Sequence, residues 1–419
     1  MKVLWVTAQI IPLAANDLNI KASGFGGWVM NMLEQLKTVD GIQLGVAMVS
    51  STVETVITND YEGIKCYIAP DCGNKGISEE NRDKIIEIFN PDIIHVEGNE
   101  FGIHNAFSQV KSIPVLVSLQ GILSGYEQYQ YGELPIADYM FSPSKHNVVT
   151  SWILYFRKHF LFDKRLTIEN ETIKNAKYIS GRTFWDRAHS YWINPDAVYF
   201  PCNRILRPVF YDNRWSYDKC EPFSIFVGNG YSPLKGIHNV IDALGLLKKE
   251  YPNIKLYVAG DNPICKKGLS AKRFGYSNLL RKKMTEAGVD ENVVFTGSLN
   301  GEKMVQMMLK CNVYVLPSLI ENSPNTLGEA MILGMPCVSA YTGGASEMAI
   351  DEKECLFYRA NDPKLLAWQL KRVFDNRLFA EQIGINAREH AMLTHNPIRN
   401  RDALVIAYNK IMSNQEGEM

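Results

Sequence analysis

The chain predicts an α/β fold of two tandem doubly wound domains, and three features of the sequence carry that expectation. Short apolar runs rich in Val, Ile and aromatic residues recur along the whole length, and the stretches between them space their apolar side chains as helices do. With 419 residues, 46% of them apolar and 21% charged, the chain can bury two or three cores at ~150 residues per domain.

In order, the runs of the first half are KVLWVT (2–7), QLGVAMV (43–49), IKCYIA (64–69), DIIHVE (92–97), PVLVSL (114–119) and KYIS (177–180). Those of the second half are FSIFVG (223–228), IKLYVAG (254–260), NVVFTG (292–297), NVYVLP (312–317), PCVSA (336–340) and CLFY (355–358). A strand covered by helices on both faces is apolar throughout rather than alternating, and these runs are continuous. The helix expected after FSIFVG shows such cover: Ile237, Val240, Ile241, Leu244 and Leu247 form one stripe, and Lys248, Lys249 and Glu250 close the outer face. Residues 201–222 have no clear period and read as a linker. After about residue 362 only helical patterns remain, the last beginning at Asn396-Pro397. The expected division is 1–204 for the first Rossmann-like domain, 205–395 for the second, and 396–419 for a helix packing back on the first.

Charge narrows the partners. Lys plus Arg number 44 and Asp plus Glu 45, a net charge of −1, too balanced for the broad basic surface of a nucleic-acid binder. Residues 1–200 carry 17 basic and 22 acidic side chains (−5), which leaves 27 and 23 (+4) for 201–419 and suits an anionic small ligand in the second half. Within the acidic half, residues 145–187 hold nine basic and four acidic residues interleaved with Trp152, Tyr155, Phe156, Phe160 and Phe162. This segment reads as core helices with solvated edges or as a peripheral contact with an anionic membrane surface. The eight cysteines stand singly with no CxxC pair, the pattern of buried free thiols in a reducing compartment. No apolar run reaches the ~20 residues of a membrane span and the N-terminus lacks a clean signal-peptide pattern, so a cytoplasmic location is expected, with a peripheral contact at the inner face of the membrane as the alternative that residues 145–187 leave open.

The most informative segment runs from Leu316 to Met348. A buried strand ends at Leu316-Pro317, a polar loop follows, and Ser323-Pro324 is a good helix start, with Ser323 as N-cap and Pro324 at the first helical position. Glu321 then stands in the loop beyond the strand's carboxyl end, and Glu329 on the second turn of the helix. Both border the crevice where open α/β sheets bind ligands. The amides of Asn325, Thr326 and Leu327 fall in the first turn, where the helix dipole attracts an anion. A second strand, FSIFVG, runs into Asn229, Gly230 and then Lys235-Gly236 before a helix. This is neither GxxxxGK nor GxGxxG, but a lysine at a helix start is unfavourable to the dipole unless an anion sits between them. In the first half, Ser23-Gly24-Phe25-Gly26-Gly27-Trp28 follows the first strand and allows close backbone approach to a ligand.

Taken in this order, the Gly-Gly loop, PDIIHVEG, the turn leading to Lys235-Gly236, and Glu321 and Glu329 with seven residues between them resemble the retaining glycosyltransferases of family 4, which have the GT-B fold. The resemblance spans nearly the whole chain, and ENSPNTLGEA is its most specific part. It implies a nucleotide-sugar donor in the second domain, an acceptor in the first and a central cleft between them. Glu329 would hold the ribose hydroxyls and Lys235 the diphosphate, with Glu321 and Lys235 as the catalytic pair and Glu321 against the donor sugar. Gly228, Asn229, Asn322, Ser323 and the amides of Asn325, Thr326 and Leu327 would complete the sugar and phosphate contacts. Gly297, Ser298 and Leu299 match the loop that holds the base, and Gly26 with Gly27 would close over the phosphates. Gln120, His95 and Glu97 are the candidate acceptor contacts, the acceptor being a glycan or a lipid-linked hydroxyl.

The sequence departs from that family twice. Asn229 stands where the family commonly has Arg, so a cation on the diphosphate is missing; Arg182 is ranked first to replace it, ahead of Arg204 and Arg207. Gln120 stands where the family often has His, and an amide hydrogen-bonds a sugar but is no general base. No cofactor and no metal are expected, and a UDP-sugar is favoured over GDP- or ADP-sugars. The rivals are a weakly catalytic nucleotide-sugar sensor, a GT-B-like epimerase or phosphorylase, and a dinucleotide oxidoreductase, the last disfavoured because neither half has the glycine fingerprint with its acidic partner.

Overall fold

The computed structural model describes residues 1–17, 27–135, 145–264 and 274–416. The chain packs as two units: Met1–Ser124, Phe162–Leu206 and His395–Met419 form the first, Gly125–Leu161 and Arg207–Thr394 the second.

The first unit is an eight-stranded sheet. Its strands are β1 (Lys2–Thr7), β2 (Gln43–Ser50), β3 (Ile57–Tyr61), β4 (Ile64–Pro70), β5 (Ile93–Glu97), β6 (Val115–Ser118), β7 (Tyr178–Gly181) and β8 (Val198–Pro201), in the order β3-β4-β2-β1-β5-β6-β7-β8. All pairs are parallel except β3 with β4. Chain order reverses at β1, between β2 on one side and β5 on the other, so the crevice beyond the carboxyl ends of β1 and β5 is the switch point where such sheets bind ligands. Residues Val3, Leu4, Trp5 and Val6 of β1 are buried, as a central strand with cover on both faces requires. Part of that cover is the last helix, Pro397–Glu416, whose Leu404, Tyr408 and Ile411 join Val3, Trp5 and Leu33 in one core.

The second unit is a six-stranded parallel sheet of β9 (Glu221–Val227), β10 (Lys255–Ala259), β11 (Val293–Gly297), β12 (Cys311–Leu316), β13 (Cys337–Tyr341) and β14 (Leu356–Arg359), in the order β11-β10-β9-β12-β13-β14. Its switch point lies between β9 and β12. The helix Ile237–Leu247 buries the stripe Ile237, Val240, Ile241, Leu244 and Leu247 against Ile225, Val227, Leu256, Val258, Val313 and Val315.

All twelve apolar runs are strands, and two further strands carry weaker signals. The edge strand β3, ITNDY, alternates in burial, and β8, VYFP, ends on proline at the other edge. The expected division at 204/205 differs from the observed units. Residues Gly125–Leu161 fall in the second because Tyr131 and Leu134 pack on its core. Among the described residues no helix is long and apolar enough to cross a membrane.

Candidate functional site

The switch point of the second unit collects the motif residues. From β9 the chain passes Gly228 and Asn229, where the Asn229 side chain accepts from the Tyr231 amide at 3.0 Å, and closes a short 3-10 turn, Pro233–Lys235. From β12 it passes Pro317 to Pro324 and enters the helix Asn325–Leu333. Backbone interlocks these loops. The Leu319 amide donates to Leu234 O at 2.9 Å and the Gly344 amide to Glu321 O at 3.0 Å. Two glycines are obligatory here: Gly236 has φ +68° with the Pro317 carbonyl against it, and Gly343 has φ +45° with the Glu321 carbonyl against it.

Upon this frame Lys235 Nζ donates to Glu321 Oε1, both side chains being mostly buried. Tyr314 Oη and Thr326 Oγ1 lie 2.8 Å apart, and Gly228 lets the strand end approach Thr326 closely, which together pin the first turn of the helix. The helix begins one residue later than expected. Pro324 is the N-cap and offers no side-chain acceptor, while Ser323 Oγ lies 3.8 Å from Met348 Sδ. Proline brings no side-chain cap, but its carbonyl accepts from the Leu327 amide at 3.1 Å, so the expectation of an anion contact from Leu327 is corrected and the first-turn amides left for an anion are those of Asn325 and Thr326. Asn322 is buried, Asn325 and Thr326 are half-buried, and Leu327 is fully buried. At the end of β11, Gly297 has its carbonyl on the Gly260 amide at 3.0 Å, with Ser298 exposed and Leu299 half-buried beside it.

Glu329, 2% exposed, takes both hydrogen bonds of an arginine fork: Arg207 Nε to Oε1 and Nη2 to Oε2, each 2.7 Å. Burial pushes its carboxyl up and the guanidinium pulls it back, leaving a net rise. Of the three arginines weighed from the sequence, Arg207 is thus the one set beside Glu329 in this unit. Arg182 and Arg204 belong to the first.

The first unit has its own small recess at the carboxyl ends of β1, β5, β6 and β7, about 40 Å³ in volume, walled by Trp28, Glu97, Ser118, Ser180, Arg182 and Arg204, among others. Glu97 Oε1 accepts from Trp28 Nε1 at 3.1 Å and from Arg204 Nη2 at 3.2 Å, and Arg204 lies over the Trp28 ring at 4.2 Å. Gln120 bridges the wall, its Nε2 on Glu97 O at 3.2 Å and its backbone carbonyl accepting from Arg182 Nη2 at 2.6 Å. The expectation for His95 is corrected. It is 1% exposed with Nδ1 2.5 Å from Tyr408 Oη and Nε2 2.6 Å from Ser118 Oγ, and burial lowers its pKa to about 3. With both nitrogens engaged it builds the wall and has no atom left for an acceptor. Gly26 lies outside the described residues, and Gly27 opens the helix Gly27–Leu36.

Sequence reasoning missed Ser118, Ser180 and Tyr314, and it named Trp28 only as the end of a glycine-rich segment. For the two serines a signal existed: each is a polar residue at or next to the carboxyl end of an apolar run, where Glu97 also stands.

The geometry invites comparison with known proteins. Residues 211–390 match the family Glycosyl transferases group 1. This group 1 segment contains every residue of the Lys235, Glu321 and Glu329 cluster. An uncharacterized glycosyltransferase of Methanocaldococcus jannaschii is 28% identical over 169 residues, 40% of each chain, so the chain is matched over two fifths of that relative's length. Sucrose-phosphate synthase from Thermosynechococcus elongatus superposes with a TM-score of 0.72 at 16% identity, over 99% of this chain and 100% of that one. Anabaena HepE, solved in complex with UDP-glucose, superposes at 0.64 and 16% identity, over 98% and 100%. The fold is that of the GT-B glycosyltransferases, two Rossmann-like α/β units.

Proposed function

We propose that this protein is a retaining glycosyltransferase of the family 4 type, moving a sugar from a nucleotide sugar to a hydroxyl of a glycan or lipid-linked acceptor without a resident metal or cofactor. The observation that carries the reading is the convergence, at one switch point, of a lysine, two carboxylates and a helix N-terminus without a side-chain cap. A nucleoside diphosphate needs these groups: cation and amides for phosphate, a buried carboxylate for the ribose diol, a second for the sugar hydroxyls. The likeness to a protein solved with UDP-glucose supports a UDP-sugar as donor.

In the proposed reaction Lys235 moves from Glu321 to the diphosphate, and the freed Glu321 accepts from a hydroxyl of the donor sugar. The anomeric C–O bond breaks with its electron pair passing to the diphosphate, whose charge Lys235 and the amides of Asn325 and Thr326 stabilise. The acceptor oxygen bonds to the anomeric carbon on the face the diphosphate leaves, which retains configuration. Its proton passes to a diphosphate oxygen, so no protein base is required and Gln120 is no obstacle. The acceptor site is assigned to the recess of the first unit, where Trp28 offers a ring face and Glu97, Arg182, Arg204, Ser118 and Ser180 offer hydrogen bonds to a polyol. Peripheral membrane contact is proposed through Trp152, Phe156 and Phe160, exposed at helical spacing on Lys145–Asn175, whose sequence is basic.

The test is thermal stabilisation by UDP-, GDP- and ADP-sugars, followed by nucleotide release from the best binder with and without acceptor extracts. Stabilisation with turnover is expected. Binding without turnover leaves a nucleotide-sugar sensor, and stabilisation by NAD alone overturns the reading.

A further inference from the structure

Arg207 is the charged residue of the donor unit whose part the proposed reaction leaves open. Its fork takes one lone pair from each oxygen of Glu329, and its guanidinium lies over Phe210 at 4.8 Å, which fixes its plane. A carboxylate offers about four acceptor positions, so two remain, one on each oxygen. A ribose 2′,3′-diol brings two donors. A buried carboxyl without a cation takes up a proton and turns one of those acceptors into a donor.

We propose that Arg207 is a positioning residue for the donor: it holds Glu329 ionised and in one orientation, so that the ribose diol meets two open lone pairs, and it does not itself bind the diphosphate. The proposal rests on the reading of Glu329 as the ribose acceptor. The elements packed on the helix that carries Glu329 also hold Tyr211 (Pro208–Tyr211), Cys311 and Tyr314 (β12), Cys337 and Tyr341 (β13) and Arg377, Glu381, Arg388, Glu389 and His390 (Arg377–Thr394), and Glu321 stands in the loop beyond β12. Arg388 is spent on the carbonyls of Ile332 and Asn213, and Tyr314 lies against Thr326. Burial raises the Glu329 carboxyl and Arg207 is the cation that lowers it, so removing Arg207 leaves only the upward push. The ionised form is then recovered only at higher pH.

The experiment measures the affinity of UDP, GDP and ADP and of their 2′,3′-dideoxy forms for the wild type, Arg207→Ala and Arg207→Lys from pH 6 to 9. The wild type is expected to prefer the ribo form about 10-fold or more across the range. Arg207→Ala should lose that preference at pH 6 and regain part of it at pH 9, with the dideoxy form bound as by the wild type. Arg207→Lys should keep a pH-independent but smaller preference, and it serves alone if the alanine variant does not fold. Equal loss of both forms at every pH makes Arg207 a phosphate ligand and overturns the proposal. A wild type that binds both forms equally overturns the role of Glu329, and one that binds no nucleotide overturns the donor reading itself.

Discussion

Gly236 joins the lysine turn to its helix, and replacing it tests whether the interlocked loops set the reacting groups. At φ +68° an alanine there costs about 1–2 kcal/mol in backbone strain alone. Its Cβ would also lie 1.9 Å from the Pro317 carbonyl, where contacts under 3.0 Å are essentially never found, so one loop must retreat by at least 3.0 − 1.9 = 1.1 Å. A displacement of ~1 Å in a positioned group is worth ~10²-fold in rate. Gly288 supplies the control. It has φ +64° in the same unit, and a Cβ there meets nothing within 4 Å. Both variants are expected to lose the strain term, roughly 2–8 °C in melting temperature. Gly236→Ala alone should lose a further increment of stability and ~10²-fold in nucleotide release from the donor. The assay pairs thermal melts with release rates for both proteins. Equal melting temperatures and an unimpaired release rate in Gly236→Ala would refute the argument that the Pro317 contact holds Lys235 in place.

Three more outcomes are expected. Glu321→Gln should lower turnover ~10²–10³-fold while affinity for the intact nucleotide sugar changes little, and Glu329→Ala should do the reverse; equal small effects in steady-state kinetics and calorimetry would reduce both to helix decoration. Burial lowers His95, His104 and His238 to about 3 each from 6.5, so the folded state leaves them neutral while the unfolded chain protonates them below 6.5. Their contribution is whole above pH 6.5 and lost on falling toward pH 3. At pH 5 that is 1.5 × 1.36, or about 2 kcal/mol each, read as a fall in melting temperature between pH 7 and 5; an unchanged value refutes it. Glu169 accepts from the Leu123 amide at 2.8 Å, the Ser124 amide at 3.1 Å and Asn99 Nδ2 at 2.8 Å, so Glu169→Ala orphans three donors at about 1–3 kcal/mol each, and a denaturation midpoint within error of wild type would show that water replaces them.

What the sequence made legible follows from what each signal reports. Strands buried on both faces announce themselves as apolar runs, and all twelve were readable; β3 and β8 sit at the sheet edges and carry less apolar pattern. The positions of Lys235, Glu321 and Glu329 were readable because strand ends and helix starts fix them locally. Their partners were not, because Arg207 meets Glu329 across 122 residues of chain and Lys235 meets Glu321 across 86. The cap failed for a similar reason: Ser323-Pro324 satisfies the local rule, but Ser323 lies against Met348, 25 residues on, and the helix opens on proline.

The same pairings explain why a net charge of −1 is compatible with anionic ligands. The charges named above are matched within each unit: Lys235 with Glu321 and Arg207 with Glu329 in the second, Arg204 with Glu97 in the first. Such a site adds nothing to the net charge and needs no long-range field, since a ligand binds by exchanging partners within a pair. If the proposed reaction holds, a diphosphate that takes Lys235 leaves Glu321 without its cation in a mostly buried place. That costs free energy unless a sugar hydroxyl donates to it at once. A nucleoside diphosphate without its sugar should therefore bind more weakly than the intact nucleotide sugar in the wild type. In Glu321→Gln, where no charge is stranded, the difference should shrink. A sugar contribution that is the same in both proteins would mean that the Lys235–Glu321 pair does not open on binding.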